Sequence, residues 1–132
     1  MEQTRRRKFL VFGNEILKDD SLPLRLLGRL GRRFPEIDFR AFDPNENLEA
    51  EGRSLDIIDT AEGISEATLI TDIDLIKTAR VYSMHDFDLG YSLKLLKKIG
   101  YVDSVRIFAV PKGMGEEDAF RQLAALISSN LS

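Results

Sequence analysis

The run Lys8-Phe9-Leu10-Val11-Phe12 is almost wholly apolar and stops at Gly13, the pattern of a central parallel strand covered on both faces and then a tight turn. From Ser21 the period changes. Leu26, Leu27, Leu30 and Phe34 recur at helical spacing with Arg25, Arg29, Arg32 and Arg33 opposite them, and Pro23 suits a first turn, so a helix is expected to end near Arg33. Ile37, Phe39 and Ala41 alternate with Asp38 and Arg40 as a second, more exposed strand closed by Asp43-Pro44-Asn45. Asn47 to Arg53 reads as a short helix. Leu55 to Ile58 is a third strand ending in Asp59, and Ala67 to Ile73 a fourth. Ala67 comes only eight positions after Asp59, whereas a parallel crossover needs about a dozen residues or more. Strands three and four are therefore expected to pair as an antiparallel hairpin, with the fourth at an edge.

Leu75 to Val81 carries no assignment. In SMHDFDLGYSLKLLKKIG, Ser83 and Asp86 have the spacing of a capping box, which puts His85 in the first turn of a helix; Leu89, Leu93 and Leu96 mark its face and Gly100 its stop. Val105 to Val110 is a fifth strand ended by Pro111. Glu116-Glu117 open a last helix whose Phe120, Leu123, Ala124, Ile127 and Leu131 face the sheet. This order fits the α/β class, as a three-layer α/β/α sandwich around a five-stranded, mostly parallel, twisted sheet with one antiparallel edge strand. With no repeat or linker, residues 1–132 read as a single domain.

Composition narrows the chemistry. The absence of cysteine excludes disulfides, thiolate catalysis and sulfur-ligated metal from this chain, leaving oxygen ligands and the single imidazole of His85. A net charge of −3 argues against a nucleic-acid footprint despite the cluster Arg5-Arg6-Arg7-Lys8. That cluster has the outline of a twin-arginine export signal, yet it leads into a short strand-like run and GNEILKDD, not a longer apolar stretch and a cleavage site. The expected reading is a solvated basic segment on a cytoplasmic protein, with no run long enough to span a membrane.

Each candidate acid has an ordinary explanation. Asp19 and Asp20 can serve as helix caps, and Asp43 and Asp59 as turn formers. His85 at the positive end of a helix is held neutral, the form that binds metal. Their joint placement is more telling. Asp20 follows strand one, Asp59 ends strand three and His85 begins the helix before strand five. Parallel neighbouring strands would bring all three to the carboxyl edge, where open α/β sheets bind ligands. Two carboxylates brought together repel unless a divalent cation relieves them. Two oxygens and one imidazole nitrogen leave open positions on a first-row metal such as nickel.

At these residues the chain resembles the hydrogenase maturation endopeptidases, nickel-dependent proteases that remove a C-terminal extension from the large subunit of nickel-iron hydrogenases. The resemblance runs through GNEILKDD, LDIIDTAEG and SMHDFDLGYSLKLL. It implies nickel contacts on Asp20, Asp59 and His85, with the nickel supplied by the precursor that is cut. The implied partner is that large-subunit precursor, with no nucleic acid and no membrane. Asn14, Asp19, Asp43 and Asn45 are expected to shape the peptide cleft. Two stretches depart from the family pattern: Ser21-Leu22-Pro23 and Asp43-Pro44-Asn45-Glu46 stand where the family is Gly-rich. A non-cutting chaperone for a nickel-protein precursor shares the same residues. A receiver-type phosphoacceptor domain shares an acidic pair after strand one, an acid ending strand three and a lysine after strand five, here Lys112. The long gap from Phe12 to Asp19 and the short one from Asp59 to Ala67 oppose that last reading.

Overall fold

The computed structural model describes residues 7–13, 21–42, 48–71, 81–82 and 89–131. Its sheet has the strand order β2-β1-β3-β6-β4, formed by β1 (Arg7–Val11), β2 (Ile37–Ala41), β3 (Ser54–Ala61), β4 (Thr68–Ile70) and β6 (Ser104–Pro111). The pairs β1/β2, β1/β3 and β3/β6 are parallel, and β4 runs antiparallel to β6.

Alternation along the strands sorts the core into two layers. Phe9 and Val11 of β1, Ile58 of β3, and Phe108 and Val110 of β6 face one side; Leu10, Ile57, Ile107 and Ala109 face the other. Both faces are covered, which is why these strands are nearly continuous apolar runs. On the first side lie α1 (Leu22–Arg25), α2 (Leu27–Arg33) and α4 (Glu116–Ser129), which bury Leu22, Leu26, Leu30, Ala119, Leu123 and Ile127. On the second lie α3 (Leu89–Lys98), with Leu93 and Leu96 buried, and a 3-10 turn at Leu48–Glu51 carrying Leu48. The three-layer sandwich is thus the observed architecture. α3 stops where the sequence says it should. Gly100 takes φ +85°, the Tyr101 amide donates to the Leu96 carbonyl at 2.9 Å and the Gly100 amide to that of Lys97 at 3.2 Å, a double closure that needs a left-handed residue.

Three expectations are corrected. The helix after Ser21 is broken at Leu26, which caps α1 and starts α2; its ψ of −9° is flatter than a regular helix, and Gly28 and Gly31 weaken α2 itself. The fourth strand is antiparallel and at an edge, but it pairs with β6 and not as a hairpin with β3. β3 is flanked by β1 on one side and by β6 over all eight of its residues on the other, so the next free hydrogen-bonding row is the far side of β6. Passing β6 means crossing two strand spacings, about 10 Å, which the link from Glu62 to Ala67 spans without a helix. The receiver reading required one there. Finally, the stretch left unassigned contains a short strand, β5 (Val81–Tyr82), antiparallel to the end of β3.

Charged groups tie the layers together at the amino ends of the strands. Arg106 binds Asp56 through Nε at 2.7 Å and Nη2 at 3.2 Å, and its Nη1 donates to the Asn130 carbonyl at 2.9 Å. Arg7 lies 3.6 Å from the same carboxylate and donates to the Leu131 carbonyl at 3.0 Å. Two cations thus meet the carbonyl end of α4, where its dipole is negative. The Asp56 contact raises the Arg106 pKa further above its already high ordinary value. On the other layer Glu51 accepts from Lys8 at 2.6 Å and from Arg40, joining the 3-10 turn to β1 and β2. Burial of Glu51 opposes its ionisation, but the bonds and charges of Lys8 and Arg40 outweigh burial and hold its carboxyl below the ordinary value.

Candidate functional site

The carboxyl edge of the sheet is organised by the end of β3. The strand runs past Ile58, where the sequence pattern ended it, to Ala61. Asp59 therefore lies inside the strand. By alternation its side chain shares the α3 face with Ile57 and Ala61, it stands opposite Ala109 of β6, and it has no exposed surface. Its Oδ1 accepts the Thr60 amide at 2.8 Å. The turn-former explanation fails for this residue, because a turn acid sits in solvent whereas Asp59 occupies a position that apolar residues fill above and below it.

β1 leaves the sheet at this edge. The Phe12 amide still bonds the Ile58 carbonyl at 2.9 Å, but beyond it β3 loses β1, and β5 takes over with Tyr82 opposite Thr60 and Val81 opposite Ala61. β2 ends beside them, the Phe42 amide donating to the Val11 carbonyl at 2.9 Å. Ser21, buried at the start of α1, takes a hydrogen bond from Arg25 Nε at 3.2 Å, and α1 packs on β3. The rim is completed by Glu62 and Lys112, which follow β3 and β6; their ion pair spans 3.4 Å, and the Lys112 amide donates to the Ala61 carbonyl at 3.0 Å.

Of the seven candidate residues, Asp59 alone is among the described ones; Asn14, Asp19, Asp20, Asp43, Asn45 and His85 lie outside them. Described residues that precede or follow four of them in the chain lie at this edge. Gly13 precedes Asn14, Ser21 follows Asp20, Phe42 precedes Asp43, and Tyr82 comes three positions before His85. Among the described residues no group of three histidine, cysteine, aspartate or glutamate side chains could hold a metal ion, and no helix is long and apolar enough to cross a membrane. Sequence reasoning missed β5 and the Glu62–Lys112 pair. Two residues are too few to show a strand period, and the pair joins positions fifty apart.

A mixed sheet with one antiparallel edge strand, helices on both faces and an acid buried at the carboxyl end of the central strand is an α/β/α fold shared with known peptidases. The crystal structure of the hydrogenase 3 maturation protease matches 96% of this chain and 89% of its own, with a TM-score of 0.60 and 16% identity. That of the hydrogenase 2 maturation peptidase from a Thaumarchaeota archaeon matches 95% of this chain and 97% of its own, with a TM-score of 0.53 and 17% identity. The likeness is one of fold. No family model matches the chain, and no curated protein matches it in sequence.

Proposed function

We propose that the chain is a cytoplasmic endopeptidase that removes the C-terminal extension of a nickel-loaded hydrogenase large-subunit precursor, gripping the precursor's nickel with Asp20, Asp59 and His85. The observation that carries this reading is the buried Asp59 at the carboxyl end of the central strand, in a fold shared with two maturation peptidases. A buried carboxylate is retained where neighbouring groups offset its desolvation, a cost of several kcal/mol in rough terms. A divalent cation presented by a substrate is one such compensation.

Covalent reach supports the trio. Asp20 is bonded to Ser21, already at this edge, and three peptide units from Tyr82 can carry the Cα of His85 no more than about 11 Å. Tyr82 is the cross-strand partner of Thr60, the residue after Asp59. A donor set of two carboxylates and one neutral imidazole suits a first-row divalent ion and leaves positions for the precursor's own ligands. On this reading Asn14, Asp19, Asp43 and Asn45 shape the cleft that takes the peptide.

The decisive experiment incubates the purified protein with nickel-loaded and nickel-free precursor and follows release of the C-terminal peptide by mass spectrometry. Release from the loaded precursor alone is expected. Binding without release would replace the protease by a chaperone, and labelling by acetyl phosphate without either would replace it by a phosphoacceptor.

A further inference from the structure

Where α2 packs against α4, charged side chains form a short ladder between the two helices. Arg25, at the end of α1, meets Glu116 at 3.2 Å; four positions on, Arg29 meets Glu117 at 2.6 Å, with its guanidinium 4.1 Å over the Phe120 ring. One helical turn further, Arg33 follows Arg29 on α2, while Arg121 and Ala124 follow Glu117 and Phe120 on α4. The next rung thus offers Arg33 an arginine and a methyl group in place of an acid and a ring.

A groove of about 620 Å³ opens at this point, within the range of small-ligand pockets. It is lined by Arg29, Arg33, Arg121, Phe120, Ala124 and Ala125, and by Glu117 and Asp118 from the first turn of α4. Glu117 is held by Arg29 and Asp118 by Arg121 at 3.0 Å, while Arg33 makes no ion pair among the described residues. The Arg33 guanidinium lies 4.7 Å over the Phe34 ring, a contact that orients its planar fork and leaves its N–H donors unused. Such a fork, ordered in advance beside an apolar wall, matches the paired oxygens of a carboxylate or phosphate.

We propose that this groove binds a small organic anion, its carboxylate or phosphate completing the rung at Arg33 and Arg121 and its apolar body lying on Phe120, Ala124 and Ala125. A long polyanion such as a nucleic-acid strand would run on into Glu117 and Asp118, and the net charge of −3 gives it no wider attraction. α2 leads into the first residue of β2, so Arg33 lies toward the amino edge of the sheet, away from the candidate site. The proposal therefore does not depend on the peptidase reading.

The test is an amide NMR titration of the isotope-labelled whole protein with benzoate, phenyl phosphate, inorganic phosphate and benzyl alcohol. At least one aromatic anion is expected to saturate, with shifts centred on Arg33, Arg121 and Ala125. It should bind about tenfold more tightly than inorganic phosphate and more weakly as salt rises, and benzyl alcohol should not bind. Arg33→Gln is expected to weaken binding about tenfold, the loss of one charge-assisted bond. Ala125→Glu, which puts an acid one turn from Arg121 at an exposed position, should block binding. Arg32→Gln, equally exposed and outside the groove, should leave it unchanged. Failure of both aromatic anions to saturate, equal binding of inorganic phosphate, or equal losses from Arg32→Gln and Arg33→Gln would overturn the proposal.

Discussion

Asp56 and Asp59 stand three residues apart on β3 and point into opposite layers. Asp56, near the amino edge, is held by Arg106 and Arg7, and those guanidiniums also bind the Asn130 and Leu131 carbonyls just past the end of α4. Asp59, near the carboxyl edge, is sealed from solvent on the α3 side. The first is placed where it joins a helix to a sheet, so its charge serves the fold. The second is placed at the carboxyl edge, where parallel sheets present chemistry. Residue type and strand are shared, so position along the strand separates the acid that joins the layers from the acid proposed to act.

The comparison breaks most directly through activity. Asp20→Asn, Asp59→Asn and His85→Ala are each expected to lower precursor processing about 100-fold or more, the scale at which loss of a metal-site group is felt. Circular-dichroism melting should stay near the wild-type curve for Asp20→Asn and His85→Ala, which are assigned to a crevice, and for Asp59→Asn because the amide keeps the shape of the buried carboxyl group. Normal processing by both Asp20→Asn and His85→Ala would remove the nickel grip. Nickel ions should also raise the melting temperature, by an amount equivalent to about 2.7 kcal/mol at a hundredfold excess over Kd, and Asp59→Asn should abolish the shift.

Asp56→Ala should do the reverse. It strips the carboxylate from two partly buried guanidiniums and loosens the end of α4, so urea denaturation is expected to report a loss of about 2 kcal/mol. Processing per folded molecule should be unchanged. A variant that kept its stability and lost its activity would assign Asp56 to the site and end the distinction between the two acids.

Glu51 gives a smaller effect with a sign set by pH. Its folded pKa is depressed below the ordinary 4.5. The stabilisation is therefore fully present above that value and is lost as pH falls through the folded one. Glu51→Gln should cost about 1–2 kcal/mol at neutral pH. The gap to wild type should then close as the solution is acidified below 4.5. A gap that stayed constant would mean that the side chain acts through packing and not through charge.

Much of this fold was legible because burial on both faces writes itself as a continuous apolar run, as in Phe9 to Phe12 and Val105 to Val110, and because Gly100 and the face of α4 follow local rules. Position within the sheet is not local. The eight-position spacing from Asp59 to Ala67 excluded a parallel crossover, but the row that β4 joins is decided by β1 and β6 already flanking β3. Asp59 and Thr60 interrupt an apolar run with polar residues of weak or mixed strand signal, so the local pattern stops the strand at Ile58; their burial depends on neighbours far along the chain. The candidate chemistry rests on residue types and spacing, and Asp59 is the member whose surroundings the structure describes.

The smallest effect is expected from the Arg53–Asp103 pair, although its geometry is good. Both nitrogens of the fork meet the carboxylate at 2.8 Å, and Arg53 holds the Asp103 carboxyl below its ordinary pKa. The two side chains are nevertheless 59% and 62% exposed, so water and salt screen the attraction. The join they span is made by the backbone, where the Arg53 carbonyl accepts the amides of Asp103 at 2.7 Å and Ser104 at 3.2 Å, bonds that survive truncation of the side chain. Arg53→Ala is therefore expected to leave the urea midpoint where it was, at low and at high salt. A loss matching that of Asp56→Ala would show that shielding from solvent is not what gives the amino edge its strength, and the contrast between the two ends of β3 would need another cause.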